Sequence, residues 1–184
     1  MPPLQEWEKF FDPEGILKAL GCYDWPGDVI EFGCGFGTFT IAAARRASGI
    51  IYATDIDPLM VSATRDRAAL AGLRNVDVTR RDFVSEGVGR PDASASYVML
   101  FNILHIENPA SLLHEASRVL CVGGLLGVIH WRHDIETPRG PPMAIRPTPA
   151  RCREWAEAGG FRWVNSPNLP NSPWHWGMTL ERAH

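Results

Sequence analysis

Residues 29–40 read VIEFGCGFGTFT. A short apolar strand, 29–32, runs straight into glycines at alternate positions, Gly33, Gly35 and Gly37, and a helix-forming stretch starts at Thr38. Alternate glycines after a strand let the backbone turn sharply and pass close to a ligand, because no Cβ stands in the way. The helix that follows turns free N–H groups and the positive end of its dipole toward the loop. In open α/β sheets the ligand crevice lies here, beyond the carboxyl ends of the strands.

The spacing narrows the ligand. The dinucleotide fingerprint G-x-G-x-x-G needs glycine at its sixth position. Counted from Gly33 that position is Thr38, and counted from Gly35 it is Thr40. The pattern present is E-x-G-x-G-x-G, with Glu31 two residues before the first glycine, where a carboxylate disfavours a pyrophosphate. Asp55 ends the next strand, 20 residues after Gly35, in position to accept hydrogen bonds from ribose hydroxyls. Asp57 stands directly before Pro58, the pattern of a helix N-cap followed by a first-turn proline. In Arg80-Arg81-Asp82-Phe83, Asp82 and Phe83 set an acceptor beside an aromatic ring at a strand end, a pair able to read and cover an adenine.

The alternation of strand and helix continues along the chain. Strand candidates lie at residues 50–54, 75–79, 97–101, 125–131, 161–165 and 176–180. Helix candidates lie at 38–47, 59–71 and 110–120, and a last one opens at Thr148-Pro149 and closes at Gly159-Gly160. This rhythm means βαβ units, hence a parallel sheet covered by helices on both faces, doubly wound by right-handed crossovers. The link between the last two strands, SPNLPNSP, carries no helix and permits an antiparallel pair. Ahead of the first strand, residues 1–27 hold an apolar set at Trp7, Phe10, Phe11, Ile16, Leu17 and Leu20, broken by Asp12-Pro13. We expect a helical lid over a single domain at 28–184. Residues 132–147 form a proline-rich loop of the kind that usually carries function.

Composition sets the outer bounds. The 184 residues carry 18 Lys+Arg against 21 Asp+Glu, a net charge of −3, which argues against a dedicated nucleic-acid binder. With 45% hydrophobic and 21% charged residues, disorder is excluded. The four cysteines, 22, 34, 121 and 152, show no C-x-x-C spacing, so no metal site is expected and a reducing compartment is. The first residues lack the pattern of a signal peptide, and no apolar run reaches the roughly 18 residues of a membrane span. A soluble, cytoplasmic protein is the expectation.

At this point the chain resembles the class I S-adenosylmethionine-dependent methyltransferases. The resemblance rests on EFGCGFGTFT (31–40), YATDIDPLM (52–60), RRDF (80–83), VMLFNILH (98–105) and VLCVGGLLGVIHW (119–131), in the family's order and spacing. It implies a Rossmann-like seven-stranded sheet of order 3-2-1-4-5-7-6 with strand 7 antiparallel. It implies S-adenosylmethionine as cofactor and S-adenosylhomocysteine as product. It implies that Glu31, Gly33, Cys34, Gly35 and Gly37 surround the methionine part of the cofactor. Asp55 and Ile56 would meet the ribose, Asp82 and Phe83 the adenine, and Phe101 and Asn102 would lie under the sulfonium.

Methyl transfer from a sulfonium is an in-line displacement, so alignment matters most, and a base is needed only for a protonated nucleophile. Histidine has the matching pKa. His105, after the fourth strand, and His133, after the fifth, stand at the crevice mouth and are the catalytic candidates. Trp7, Phe11, Trp131 and Arg146, with His105, are the candidate substrate wall. The Asn/Asp-Pro-Pro-aromatic turn of enzymes acting on exocyclic base amines is replaced by Asn102-Ile103-Leu104-His105, which resembles the small-molecule branch. The expected partner is therefore a small molecule, with no nucleic acid and no membrane, and the chain a monomer or homodimer. Two rivals stand beside this reading: a non-catalytic adenosylmethionine-binding protein and a nicotinamide-dependent oxidoreductase.

Overall fold

Every strand expected from an apolar run is present in the computed structural model, which describes residues 3–184. The strands are β1 (Val29–Phe32), β2 (Ile51–Asp55), β3 (Val76–Arg80), β4 (Ala95–Phe101), β5 (Leu120–Trp131), β6 (Phe161–Asn165) and β7 (His175–Arg182). They form one sheet in the order β3-β2-β1-β4-β5-β7-β6. β1, β2, β3, β4 and β5 pair in parallel, and β7 runs antiparallel to both β5 and β6. Strand order therefore reverses between β1 and β4, which opens the crevice of a doubly wound sheet beyond their carboxyl ends.

The helices are α1 (Leu4–Trp7), α2 (Pro13–Ala19), α3 (Thr38–Ala44), α4 (Pro58–Leu70), α5 (Phe83–Glu86), α6 (Pro109–Val119) and α7 (Pro149–Ala158). Four of them begin on proline, whose fixed φ and missing N–H suit a first turn. Asp12, Asp57 and Thr148 cap three of these by accepting a backbone N–H with the side chain.

Strand alternation sorts the core to two faces. Phe32, Val98, Leu100, Leu126 and Val128 meet Leu112, Leu113 and Ala116 of α6 and Cys152 and Ala156 of α7. Val29, Ile51, Tyr97, Met99 and Ile129 meet Ile16 and Leu17 of α2 and Phe39 and Ala43 of α3. The boundary expected at residue 27 does not fall there: Ile16, Leu17 and Leu20 are fully buried in the second core, so α2 belongs to the domain.

Two further differences have local causes. β5 starts at Leu120, five residues ahead of the expected start, because the strand carries through Gly123-Gly124 with a shift in register between Ala95 and Tyr97 on β4. α5 was not anticipated; its four residues are too few to show a helical period.

Tyr97 ties the second core together. Its ring is fully buried, and its hydroxyl donates to the Leu20 carbonyl at 2.9 Å. Gly127 of β5 lies directly over that hydroxyl, where a Cβ would collide with it. Gly127→Ala is expected to destabilise the fold by about 1–3 kcal/mol through overpacking. Urea unfolding followed by fluorescence checks this, and an unchanged midpoint refutes it.

Candidate active site

The glycine loop is fastened from three sides. The N–H groups of Gly33 and Cys34 each donate to the Thr54 carbonyl at 2.9 Å, which carries the β1–β2 pairing one step past the strand. Gly35 N–H donates to Asp55 Oδ2 at 2.8 Å, while Asp55 Oδ1 accepts from Asp57 N–H at 3.0 Å. From α4, Thr64 donates to the Gly35 carbonyl at 2.9 Å and Arg67 to the Phe36 carbonyl at 2.7 Å. Gly33, Gly35 and Gly37 all have positive φ, between 53° and 77°, where a side chain is strained. At Gly37 a Cβ would also strike Thr64 at 2.8 Å.

This loop floors a cavity of about 330 Å³. Of the residues expected at the cofactor, Glu31, Gly33, Cys34, Gly35, Asp55, Ile56, Phe83, Phe101 and Asn102 line it. Trp7, Thr38, Phe39, Asp57, Met60 and Ile103 line it as well. Thr38 and Met60 were not among the expected residues, although Thr38 opens α3 and Met60 lies in the first turn of α4, both helices starting beside the crevice. Asp57 has two places at once: its Oδ1 caps α4 through Leu59 N–H at 2.8 Å, and its side of the turn faces the cavity.

The electrostatics of the wall are one-sided. Three carboxylates, Glu31, Asp55 and Asp57, line the cavity, and no Lys, Arg or His does so among the described residues. Glu31 is buried on β1 and receives a hydrogen bond from Thr40 of α3. Burial pushes its carboxyl up to about 8; the Thr40 bond opposes this, and the charge of Asp55 adds to it. Two neighbouring polar atoms, Thr38 Oγ1 and Asn102 Oδ1, are buried without a partner among the described residues. Asn102 also takes φ +59°, an uncommon conformation that asparagine tolerates, and its N–H is held by the Ile129 carbonyl at 2.8 Å.

Other expected residues lie elsewhere. Asp82 is absent from the cavity wall because its carboxylate caps α5, accepting from Val84 N–H at 3.1 Å and from the Ser85 hydroxyl at 2.8 Å. The Ser85 bond, ahead of the backbone bonds, holds that carboxyl below its ordinary range. Arg146 staples the proline-rich loop: its guanidinium donates to the carbonyls of Pro141 and Arg132 at 2.8 and 2.7 Å, so it faces loop backbone rather than the cavity. Phe11 and Trp131 are buried in an aromatic stack with His175, whose ring lies 4.7 and 4.1 Å from theirs. Only Trp7 of the N-terminal aromatics reaches the cavity, 5.0 Å from the Phe11 ring. The lid expectation narrows to the residues ahead of Asp12. His133 lines a separate cavity of about 310 Å³ with Arg132, Asp134, His175 and Trp176. His105 follows the cavity residue Ile103 in the loop after β4, and its Nδ1 lies 3.3 Å from His130 Nε2.

Two predictions follow from the carboxylates. Asp55→Asn keeps one acceptor oxygen and sets an NH2 against either Gly35 N–H or Asp57 N–H, and is expected to destabilise the protein by about 1–3 kcal/mol and to weaken ligand binding in the cavity. Asp57→Ala loses a cap and should cost about 1 kcal/mol with a smaller effect on binding. Thermal melts and calorimetry separate the two, and equal binding losses refute the assignment. Glu31 sets a pH dependence. Its folded value lies above the ordinary 4.5, so between about pH 5 and 8 the folded state keeps a proton that the unfolded chain has released. Its contribution then falls as pH rises, by about 1.4 kcal/mol per unit across that window. Glu31→Gln should flatten that part of the stability profile; a profile that keeps its slope in the variant refutes the burial argument.

Comparison with known proteins follows the same geometry. Residues 29–124, more than half of the chain, match the family described as methyltransferase domain. The ribosomal protein L11 methyltransferase of Clostridium botulinum is 29% identical over 127 residues, covering 67% of this chain and 39% of that protein. The chain thus spans about two-fifths of the length of that relative. A solved S-adenosylmethionine-dependent methyltransferase from Aquifex aeolicus superposes with a TM-score of 0.83 at 23% identity, covering 95% of this chain and 92% of that one. The [4+2]-cyclase SpnF superposes at 0.76 and 18% identity, covering 93% and 79%. The expectation of a small-molecule partner is corrected here, because the curated relatives are named for a protein acceptor, ribosomal protein L11. No helix among the described residues is long and apolar enough to cross a membrane. By the length of the family match and by its strand order, the chain belongs to the methyltransferase domain family, within the class I S-adenosylmethionine-dependent superfamily.

Proposed function

We propose that this chain binds S-adenosylmethionine in the cavity over the glycine loop and transfers its methyl group to a nucleophile on a protein. The observation that carries the reading is the wall itself: the carboxylates of Asp55 and Asp57, the buried carboxyl of Glu31, two unpartnered buried polar oxygens and no basic side chain among the described residues. Such a wall repels phosphate and favours a cationic nucleoside. A nicotinamide dinucleotide, with its pyrophosphate, is the wrong charge for it.

The residues divide the cofactor between them. Glu31, Thr38 and Asn102 supply acceptors for the ammonium and sulfonium end. Asp55 keeps lone pairs beyond those used by Gly35 and Asp57, and these accept the ribose hydroxyls. Ile56 and Phe83 offer apolar surface for the base. When bound, the cofactor supplies a methyl group on positively charged sulfur, already a strong electrophile, so the chain's task is to align the acceptor and exclude water. Trp7, on the segment ahead of Asp12, closes one side of the cavity in this arrangement.

The protein acceptor is taken from the names of the curated relatives. The fold alone does not fix it, since a protein described as a cyclase shares the same sheet. The test has two stages. Calorimetry with S-adenosylmethionine, S-adenosylhomocysteine and NAD should give heats for the first two alone, and saturating cofactor at a hundredfold its Kd should stabilise the fold by about 2.7 kcal/mol. Transfer of a labelled methyl group to ribosomal protein L11 then tests the acceptor. Equal binding of NAD overturns the cofactor assignment. Cofactor binding without label on L11 overturns the acceptor assignment.

A further inference from the structure

One pair of histidines, His130 buried and His105 half-buried, lies outside the cofactor cavity, with His105 two residues past the cavity residue Ile103. His130, near the end of β5, is fully buried. Its Nδ1 lies 3.1 Å from the Trp131 carbonyl and its Nε2 lies 3.3 Å from His105 Nδ1. A carbonyl can only accept, so His130 carries its proton on Nδ1. Its Nε2 is then a lone pair, and the Nδ1–H of His105 must be the donor to it. That leaves His105 Nε2 as a lone pair in turn. This atom has no partner among the described residues and is not among the buried orphan atoms, so it is open. The chain of bonds runs one way, from an open base on His105 back to a fixed backbone carbonyl.

Resting on the methyltransferase reading above, we infer that His105 Nε2 takes the proton of the acceptor nucleophile, and that His130 is the positioning residue that holds His105 in the tautomer able to do so. As the bond from nucleophile to methyl carbon forms, the carbon–sulfur bond breaks and its electron pair passes to sulfur. An ammonium acceptor first gives one proton to His105 Nε2, from where it passes to water, and this frees the lone pair that attacks the methyl carbon. The resulting imidazolium keeps its Nδ1–H, so the bond to His130 survives the transfer. The proton goes no further, because burial pushes His130 down to about 4 and a cation there is disfavoured. The acceptor class this fits is one whose nucleophile arrives protonated at neutral pH, such as a protein ammonium group.

The surroundings keep both rings neutral. His130 is stacked on Trp176 of β7, with centroids 6.2 Å apart and planes 27° apart. Arg146, from the loop ahead of α7, lowers the tendency of His130 to charge, as does His105 itself. His175 of β7 is coupled to His130 and Arg146 and is itself held neutral chiefly by burial. Burial also lowers His105 from its ordinary value. Glu107, on the same loop as His105, is exposed.

Side-chain 1H–15N correlation spectra of the whole protein test the arrangement without any acceptor. A free neutral imidazole favours the proton on Nε2, whereas His105 and His130 should both show the Nδ1–H pattern at pH 7.5. In His130→Phe, which retains the stack on Trp176, His105 should revert to the ordinary pattern. An Nε2–H pattern at either histidine in the wild type overturns the proposal. The role in transfer is read from the rate of L11 methylation against pH. The wild type should lose rate along an acid limb that lies below the ordinary histidine value of about 6.5, because burial lowers His105. His105→Asn should lose that limb and fall by about 100-fold at the optimum, the size of a general-base effect, with cofactor Kd within twofold. A His105→Asn rate within threefold of wild type overturns it. Absence of cofactor binding, with both tautomers as stated, would instead sink the methyltransferase reading and leave the histidine geometry standing.

Discussion

The carboxylate of Asp55 is the junction on which the site is built. It stands at the end of β2 and takes Gly35 N–H on one oxygen and Asp57 N–H on the other. The first bond fixes the loop after β1, and the second fixes the turn that starts α4. The α4 side chains Thr64 and Arg67 then return to the loop and hold the carbonyls of Gly35 and Phe36. Strand, loop and helix are thus cross-tied by charge-assisted and ordinary hydrogen bonds at one end of the sheet. A loop of left-handed glycines would otherwise carry the largest conformational entropy in the chain.

That junction also concentrates negative charge. Glu31 and Asp55 face one cavity, and the repulsion between them adds to the burial that keeps Glu31 protonated. A protein gains nothing in stability from such an arrangement; raised carboxyl values of this kind mark sites made to meet a cation. The unpartnered oxygens of Thr38 and Asn102 fit the same account. Two carboxylates and unpartnered polar oxygens, in a wall without basic side chains among the described residues, complement a positively charged ligand.

Which parts of this were legible in the sequence follows from the range of the interactions involved. Asp57-Pro58 and Asp12-Pro13 were read as helix starts from adjacent residues alone, and both aspartates cap as that rule requires. The glycine loop and Asp55 were legible because a strand end, a turn and an acidic residue recur at short, fixed spacing. Strand order was carried by resemblance to a family rather than by any local pattern. Arg146 was read as part of the substrate wall, yet it bonds carbonyls up to 14 residues away. Asp82 was read toward adenine, and its oxygens also cap a four-residue helix too short to detect. No local signal separates those outcomes, because an arginine in a proline-rich loop and an acid after a strand are ambiguous until the chain is folded.

The same distinction of range separates the two halves of the reaction. The cavity over the glycine loop is made chiefly by short segments that follow the carboxyl ends of β1, β2 and β4. The acceptor side proposed above draws instead on segments distant in sequence, the loop after β4 and the end of β5. His105 and His130 are 25 positions apart and touch because β4 and β5 are neighbours in parallel register. Their Nδ1–H tautomers depend on a single carbonyl at Trp131. A change of one residue in the register of β5 would turn His130 to the opposite face and leave His105 without its partner. The placement of these two rings is therefore set by strand pairing as much as by residue identity.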